Sequence, residues 1–384
     1  MTKDTLRKDF LPLGKPDVTE AEIAAVVDVV RSGWWTTGPK VTEFERAIAE
    51  YLGDPGLSCV GLNSATAGLH LALLALGLGP GDEVIVPTWT FAATAQVVDW
   101  VGAKLVLCDV EPDTLQIDLA QAEKLVTPRT KAIIPVHLFG YTCDMDGLGA
   151  FAAKHGLKVI EDAAHAIGTR YRGRKIGVFS DVTVFSFYAT KTLAMGEGGL
   201  AVAKDPAVGE RIRKQSYFGI NKEACKRYEK GGSWMYDIED IGYKYNLDSV
   251  HAAIGLVQLR RLDAMIEKRR ALAAYYRNNL PAGVLPTADS PEHLHAYHLF
   301  PVRVVRPGVT RDRLSEELQK RNIGTSVHFI PLHRHSRYRA RCAASAFPVA
   351  DKAFGELLSL PMFSAMNMED AAYVVDHIKD IVGG

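Results

Sequence analysis

Residues 58–110 read SCVGLNSATAGLHLALLALGLGPGDEVIVPTWTFAATAQVVDWVGAKLVLCDV. Short apolar runs in it, "SCVGL", "EVIVP" and "KLVLCDV", are separated by the helically patterned stretches "ATAGLHLALLALGLG" and "TFAATAQVVDWVG". Strands buried on both faces read as continuous Val/Ile/Leu runs, and connections of this length supply crossover helices. The spacing predicts an α/β sheet, mostly parallel.

Outward from this stretch the alternation continues through "DLAQAEKLV", "KAIIPVH", "DGLGAFAAKHG" and "KVIED", then "VTVFSF" and "GGLAVAK". Upstream, Thr19 and Glu22 have capping-box spacing, and "AEIAAVVDVVRSG" behind them predicts a helix that stops at Gly33. Downstream, a helical segment from Asp248 to Leu280 ends at Pro281. Beyond it come "HLFPVRVV", the helix "TRDRLSEELQKRN", the strand "TSVHF" and a last helix from about Met368 to Val382. The expected organisation is a large α/β domain over 1–250, a connecting helix over 251–280 and a smaller α+β domain over 281–384.

Bulk properties exclude several classes. The 45 basic and 45 acidic residues balance, and no long cationic run occurs, so neither nucleic acid nor a membrane surface is an expected partner. The opening "MTKDTLRKDF" is charged and has no apolar leader core, which predicts a cytoplasmic protein. Cys59, Cys108, Cys143, Cys225 and Cys342 are scattered and odd in number, so neither a disulfide framework nor a zinc site is expected. His70 interrupts the most apolar stretch, which is shorter than the roughly 20 residues of a membrane span.

Ligands of such sheets sit beyond the carboxyl ends of the strands. "NSATAG" at 63–68 is a small polar strand-to-helix turn whose free N–H groups and helix dipole suit a phosphate, although an ordinary N-cap has the same look. Asp162 follows the strand "KVI" and could project a carboxylate into the crevice; a capping role is the bland reading. Trp89 and Phe91 could offer a ring face, with core packing as the alternative. Ser186 and Lys191 complete the set, a lysine between an apolar strand and a glycine run being otherwise a solvated residue. Together they ask for a ligand with a phosphate, a basic ring nitrogen, a flat ring and a carbonyl that a lysine can attack. Pyridoxal 5'-phosphate meets all of these.

In order along the chain, "SGWWTTGP", "NSATAGLHLAL", "GDEVIVPTWTFAAT", "VIEDAAHAIG", "FSFYATKTLAMGEGG", "GYKYNL" and "VHFIPLH" resemble the DegT/DnrJ/StrS-type nucleotide-sugar aminotransferases, from about Phe10 to the C-terminus. The likeness is greatest to enzymes that aminate a 4-keto sugar nucleotide. It implies the aspartate aminotransferase-like fold, type I, with a seven-stranded, mostly parallel sheet, and pyridoxal phosphate as cofactor. It also implies an amino-acid donor, glutamate, and a homodimer with shared active sites.

By the same resemblance, Lys191 is the cofactor-linked catalytic lysine and Asp162 the carboxylate under the pyridine nitrogen. Ala65, Thr66 and Ser186 match phosphate ligands, and Phe91 stacks on the cofactor ring. Asn246 resembles the asparagine that reaches the phosphate of the neighbouring subunit, while Trp34 and His328 fall where the family lines its sugar pocket. One departure stands out: His165 occupies a position where many members carry a glutamine that hydrogen-bonds near the ring hydroxyl, and it points to C4 chemistry.

Amination at C3 and a non-catalytic pyridoxal phosphate-binding regulator stay open as alternatives. The related sugar dehydratases carry histidine in place of the lysine, so Lys191 favours transamination. "GLGPGD" lacks dinucleotide-fingerprint spacing. His295 and His298, read in a strand, point to opposite faces and do not suggest a metal site.

Overall fold

The computed structural model describes residues 6–220, 235–290, 292–342 and 346–383; Cys225 lies outside them. Its centre is a seven-stranded sheet in the order Ser58–Leu62, Gly199–Ala203, Val182–Ser186, Lys158–Asp162, Thr130–Ile133, Glu83–Pro87, Lys104–Cys108. Gly199–Ala203 runs antiparallel to both of its neighbours, and every other pairing is parallel. The carboxyl ends of the remaining strands therefore share one edge.

The continuous apolar runs divide between two cores by the two-residue period of a strand. Ile85, Val159 and Phe185 face a cluster that includes Phe44, Ile48 and Leu148. Val84, Val86, Ile160 and Val184 face the other, with Leu69, Leu71 and Val97 from the crossover helices. Glu83–Pro87, Val182–Ser186 and Gly199–Ala203 are buried at every position, whereas the edge strand Lys104–Cys108 is only partly covered.

The capping box forms as expected at Thr19 and Glu22, and Gly33 ends that helix in the left-handed conformation at φ 74. The long helix spans Ser249–Asn279, capped by Asp248. Its Leu256, Leu262 and Met265 pack in the first core; Leu272, Ala273 and Tyr276 pack under a second, three-stranded sheet made of Val284–Pro286, Phe300–Val304 and Leu357–Leu360. Helices Arg311–Gln319 and Met368–Gly383 cover that sheet.

Two expectations fail locally. "TSVHF" is not a strand: Ser326 makes one isolated bridge to Ser359, after which the chain leaves so that the His328 carbonyl can accept from Trp89 Nε1 at 3.0 Å. His295 and His298 are not in a strand either. They sit in a turn in which Tyr297 is left-handed at φ 47, and both are buried.

Candidate active site

At the carboxyl edge of the sheet lies a cavity of about 450 Å³, lined by residues from separate strand ends, crossover helices and the segments that flank the C-terminal sheet, among them His298 and Met362. Ala65, Thr66, Phe91 and Asp162 line it, as do His165, Ser186, Lys191 and His328. Parallel strands ending on one edge produce this convergence from residues far apart in sequence.

The helix Ala65–Ala75 aims its N-terminus at the cavity, with Ser64 as N-cap accepting from the Ala67 N–H at 3.1 Å. The N–H groups of Ala65 and Thr66 at this end precede the helix's own hydrogen-bond ladder, so they are available to an anion. Gly199 opens the strand that passes alongside. A Cβ there would lie 2.2 Å from the Ser64 carbonyl carbon and 2.4 Å from the Ala65 nitrogen, so only glycine admits this approach. Ser186, buried at the end of its strand, adds a hydroxyl to the same wall.

Asp162 ends its strand and is 5% exposed. Thr94 Oγ donates to Oδ2 at 2.7 Å, and the Ala164 N–H donates to Oδ1 at 3.2 Å. Burial raises its pKa, while these donors and the Lys191 charge pull the other way. Lys191 shares the cavity, and its ammonium makes no hydrogen bond among the described residues. Burial pulls its pKa down from 10.5 to about 8, with Asp162 partly opposing.

His165 accepts from the Phe139 N–H through Nδ1 at 3.2 Å. That contact puts the ring proton on Nε2, and burial, with Lys191 and His328 nearby, holds the ring neutral. His328 is set by Nδ1 3.0 Å from Ser359 Oγ, and its pKa falls to about 4 through burial and then Lys191. Phe91 stays exposed at the mouth, tilted against Phe329 at 5.6 Å. Trp89 is fully buried and belongs to the core, which settles its two readings in favour of packing.

Trp34 and Asn246 do not line the cavity. Trp34 is folded over Gly38, its indole N–H donating to the Thr37 carbonyl at 3.0 Å. Asn246 Nδ2 donates to Thr37 Oγ at 2.7 Å, beside the end of the first strand, where it bridges Leu62. Thr94 and His298, which also border this centre, carry no motif that distinguishes them in sequence; Thr94 is one of several threonines in "PTWTFAAT".

Over residues 16–379 the chain matches the model of the DegT/DnrJ/EryC1/StrS aminotransferase family. The chain belongs to this family. It is 43% identical to the spore coat polysaccharide biosynthesis protein SpsC of Bacillus subtilis, over 98% of each chain. Spr1654 of Streptococcus pneumoniae, solved in its PLP form, superposes with a TM-score of 0.90 at 34% identity, covering 97% of this chain and 99% of that one. The sugar aminotransferase CalS13 of Micromonospora echinospora does so with a TM-score of 0.87 at 32% identity, over 96% and 99%. This DegT/DnrJ/EryC1/StrS aminotransferase is pyridoxal phosphate-dependent, and its cavity fits the cofactor. The glycine cradle at Gly199, the free helix N-terminus, a buried carboxylate and a depressed lysine are the donor set that group requires.

Proposed function

We propose that the chain transfers an amino group from an amino acid, L-glutamate, to the C4 keto carbon of a nucleotide-linked deoxy sugar. The observation that carries this reading is the meeting of Lys191 and Asp162 with a free helix N-terminus in one cavity. The relatives support a sugar as acceptor, since CalS13 is described as a sugar aminotransferase and SpsC as a polysaccharide biosynthesis protein. The C4 position rests on the motif resemblance and on His165.

Pyridoxal phosphate supplies an aldehyde carbon that carries the amino group between the two substrates and a ring that takes up electrons. In the proposed seating, the N–H groups of Ala65 and Thr66 and the Ser186 hydroxyl hold the phosphate. Asp162, oriented by Thr94, holds a proton at the ring nitrogen, and the neighbouring positive charge relieves the cost of burying its carboxylate. Phe91 covers the ring, and His165 Nε2–H donates toward its hydroxyl. Lys191 Nζ, close to half neutral near pH 8, is the base that takes a proton from the donor carbon and returns it. His328 belongs to the sugar end; Trp34, outside this chain's cavity, is assigned there by the motif resemblance alone.

The same proposal includes a homodimer in the cytoplasm and a division into 1–250, 251–280 and 281–384. Asn246 is held to Thr37 at the surface, and Trp35, Ile238 and Ile241 are exposed apolar side chains of the kind a partner subunit would cover. Among the described residues no helix is long and apolar enough to cross a membrane.

The test is a panel of 4-keto and 3-keto sugar nucleotides incubated with the holoenzyme and glutamate, with product NMR to locate the new amine. Amination at C4 supports the reading; amination at C3 moves the carbon. A holoenzyme that exchanges with no amine donor would overturn catalysis in favour of a regulator.

A further inference from the structure

Two histidines share one wall of the cavity, and one of them has no part in the seating above. His165 is 7% exposed and His298 5%, and their ring centroids lie 4.4 Å apart at a 45° tilt. The turn Leu138–Gly140 builds the pair. The Phe139 N–H donates to His165 Nδ1 at 3.2 Å, the Leu299 N–H to the Phe139 carbonyl at 3.2 Å and the Ala296 N–H to the Gly140 carbonyl at 3.3 Å. Gly140 adopts φ 97, and a Cβ there would lie 3.0 Å from the His165 carbonyl oxygen and 3.1 Å from the His298 nitrogen. The two histidine-bearing segments meet at this glycine.

From the opposite side, buried Arg269 donates through Nη1 to the carbonyls of Tyr297, His298 and Met362 at 3.2, 3.3 and 3.0 Å. The left-handed Tyr297 immediately precedes His298. Such a conformation is strained for a bulky residue and persists only where its surroundings enforce it. Here they enforce the position of one imidazole.

His298 Nδ1 is buried with no hydrogen-bond partner, whereas Nε2, also without a partner among the described residues, keeps accessible surface on a residue that lines the cavity. An orphaned buried N–H is costlier than an orphaned lone pair, so the proton sits on Nε2. Burial, and after it the charged and titratable groups facing this ring, His165, Lys191, Arg269 and His328, disfavour a positive charge on it. His298 is thus a neutral donor beside a second neutral donor, His165.

We propose that His298 is a second hydrogen-bond donor to the ring-oxygen edge of pyridoxal phosphate, holding the ring hydroxyl as its anion jointly with His165. This rests on the seating proposed above. Hydrogen bonds to an ionised oxygen are the stronger kind, and two converging donors set how readily the ring oxygen and the attached nitrogen exchange a proton.

The test compares binding of pyridoxal phosphate and of 3-deoxypyridoxal phosphate, which lacks that hydroxyl, to the apoenzyme. His298→Ala should weaken pyridoxal phosphate about 10- to 100-fold, the worth of a hydrogen bond to a charged group, and leave the deoxy analogue unchanged. The pH midpoint of the holoenzyme's visible absorption should rise, because the anionic oxygen has lost a donor, and His298→Gln should restore part of both effects. If the alanine variant does not fold, His298→Phe, which keeps a ring without the donor, carries the same comparison. Equal weakening of both cofactors, or no weakening of either, overturns the role. Borohydride reduction of the wild-type holoenzyme reads the seating separately: failure to fix the cofactor on Lys191 would overturn the seating itself.

Discussion

Thr94 Oγ donates its proton to Asp162 Oδ2 at 2.7 Å, and Thr90 Oγ lies 2.7 Å from Thr94 Oγ. A hydroxyl has one proton to give, so Thr90 is the donor in the second contact and the three buried groups form a directed chain. The chain fixes the carboxylate plane before any ligand arrives. Thr94→Val keeps the shape and removes the donor. We expect kcat to fall about 10-fold or more and the folded state to lose roughly 1–3 kcal/mol, the cost of an unsatisfied buried polar group. Steady-state kinetics together with thermal unfolding check this, and a wild-type kcat would remove Thr94 from the orienting role.

Lys191→Ala should reduce turnover by at least about 10³-fold, since both the covalent anchor and the positioned base are lost. The protein should still fold. After borohydride treatment, peptide mass spectrometry should find the cofactor on the Lys191 peptide of the wild type and nowhere in the variant; an adduct on a different lysine would reassign the anchor.

The Lys191 amine loses its proton near 8 when folded and near 10.5 when exposed. Activity requiring the neutral amine should therefore climb with pH, reach half its maximum at about 8 and level off roughly one unit above that. The unfolded chain binds more protons between those two values, so this group's contribution to stability rises with pH across that window, and its full cost is present below 8. Apo Lys191→Met should melt above the apo wild type at neutral pH, with the gap closing as pH rises through the window. A gap independent of pH would show that the amine is not charged and buried.

Gly199→Ala places a methyl against backbone atoms of Ser64 and Ala65, which cannot rotate away. We expect a lower melting temperature and, in protein that folds, weaker binding of the cofactor and of inorganic phosphate alike, measured by titration calorimetry. Unchanged phosphate affinity would mean that the helix end does not form the anion site.

Shared sites can be tested by complementation. Asn246→Ala and Lys191→Ala proteins should each be impaired; if the protein forms the proposed dimer, mixing and exchanging subunits should recover activity toward about a quarter of wild type, because each hybrid rebuilds one intact site. No recovery from a dimeric mixture would place Asn246 and Lys191 in the same subunit's site.

Much of this was legible in the chain. The runs around Ile85, Val159 and Phe185 announced strands buried on both faces, and Thr19 with Glu22 announced a helix start. Failures came where a segment is shaped by distant neighbours. Residues 325–329 have strand composition, but the pull of Trp89 on the His328 carbonyl ends pairing after one bridge. His298 looked like half of an alternating pair until the left-handed Tyr297 turned it inward. Thr94 gave no signal, since a threonine that orients a carboxylate is written like one that packs in a helix.

By itself the sequence determined most of the element types, the α/β class and the residue chemistry that pointed to pyridoxal phosphate. These are local properties, encoded in two-residue and helical periods and in turn chemistry over a few positions. Only the tertiary structure decided that Lys191 and Asp162 share a cavity with the Ala65–Ala75 helix end. It alone decided that His165 carries its proton on Nε2, that Trp89 is core, and that His298 stands beside His165. The physical reason is that the sheet departs from chain order at two places: Ser58–Leu62 lies beside Gly199–Ala203, and Glu83–Pro87 lies between Lys104–Cys108 and Thr130–Ile133. Which groups face one another, and which of them lose water, depends on the order of the crossovers, and no spacing within a single segment records that order.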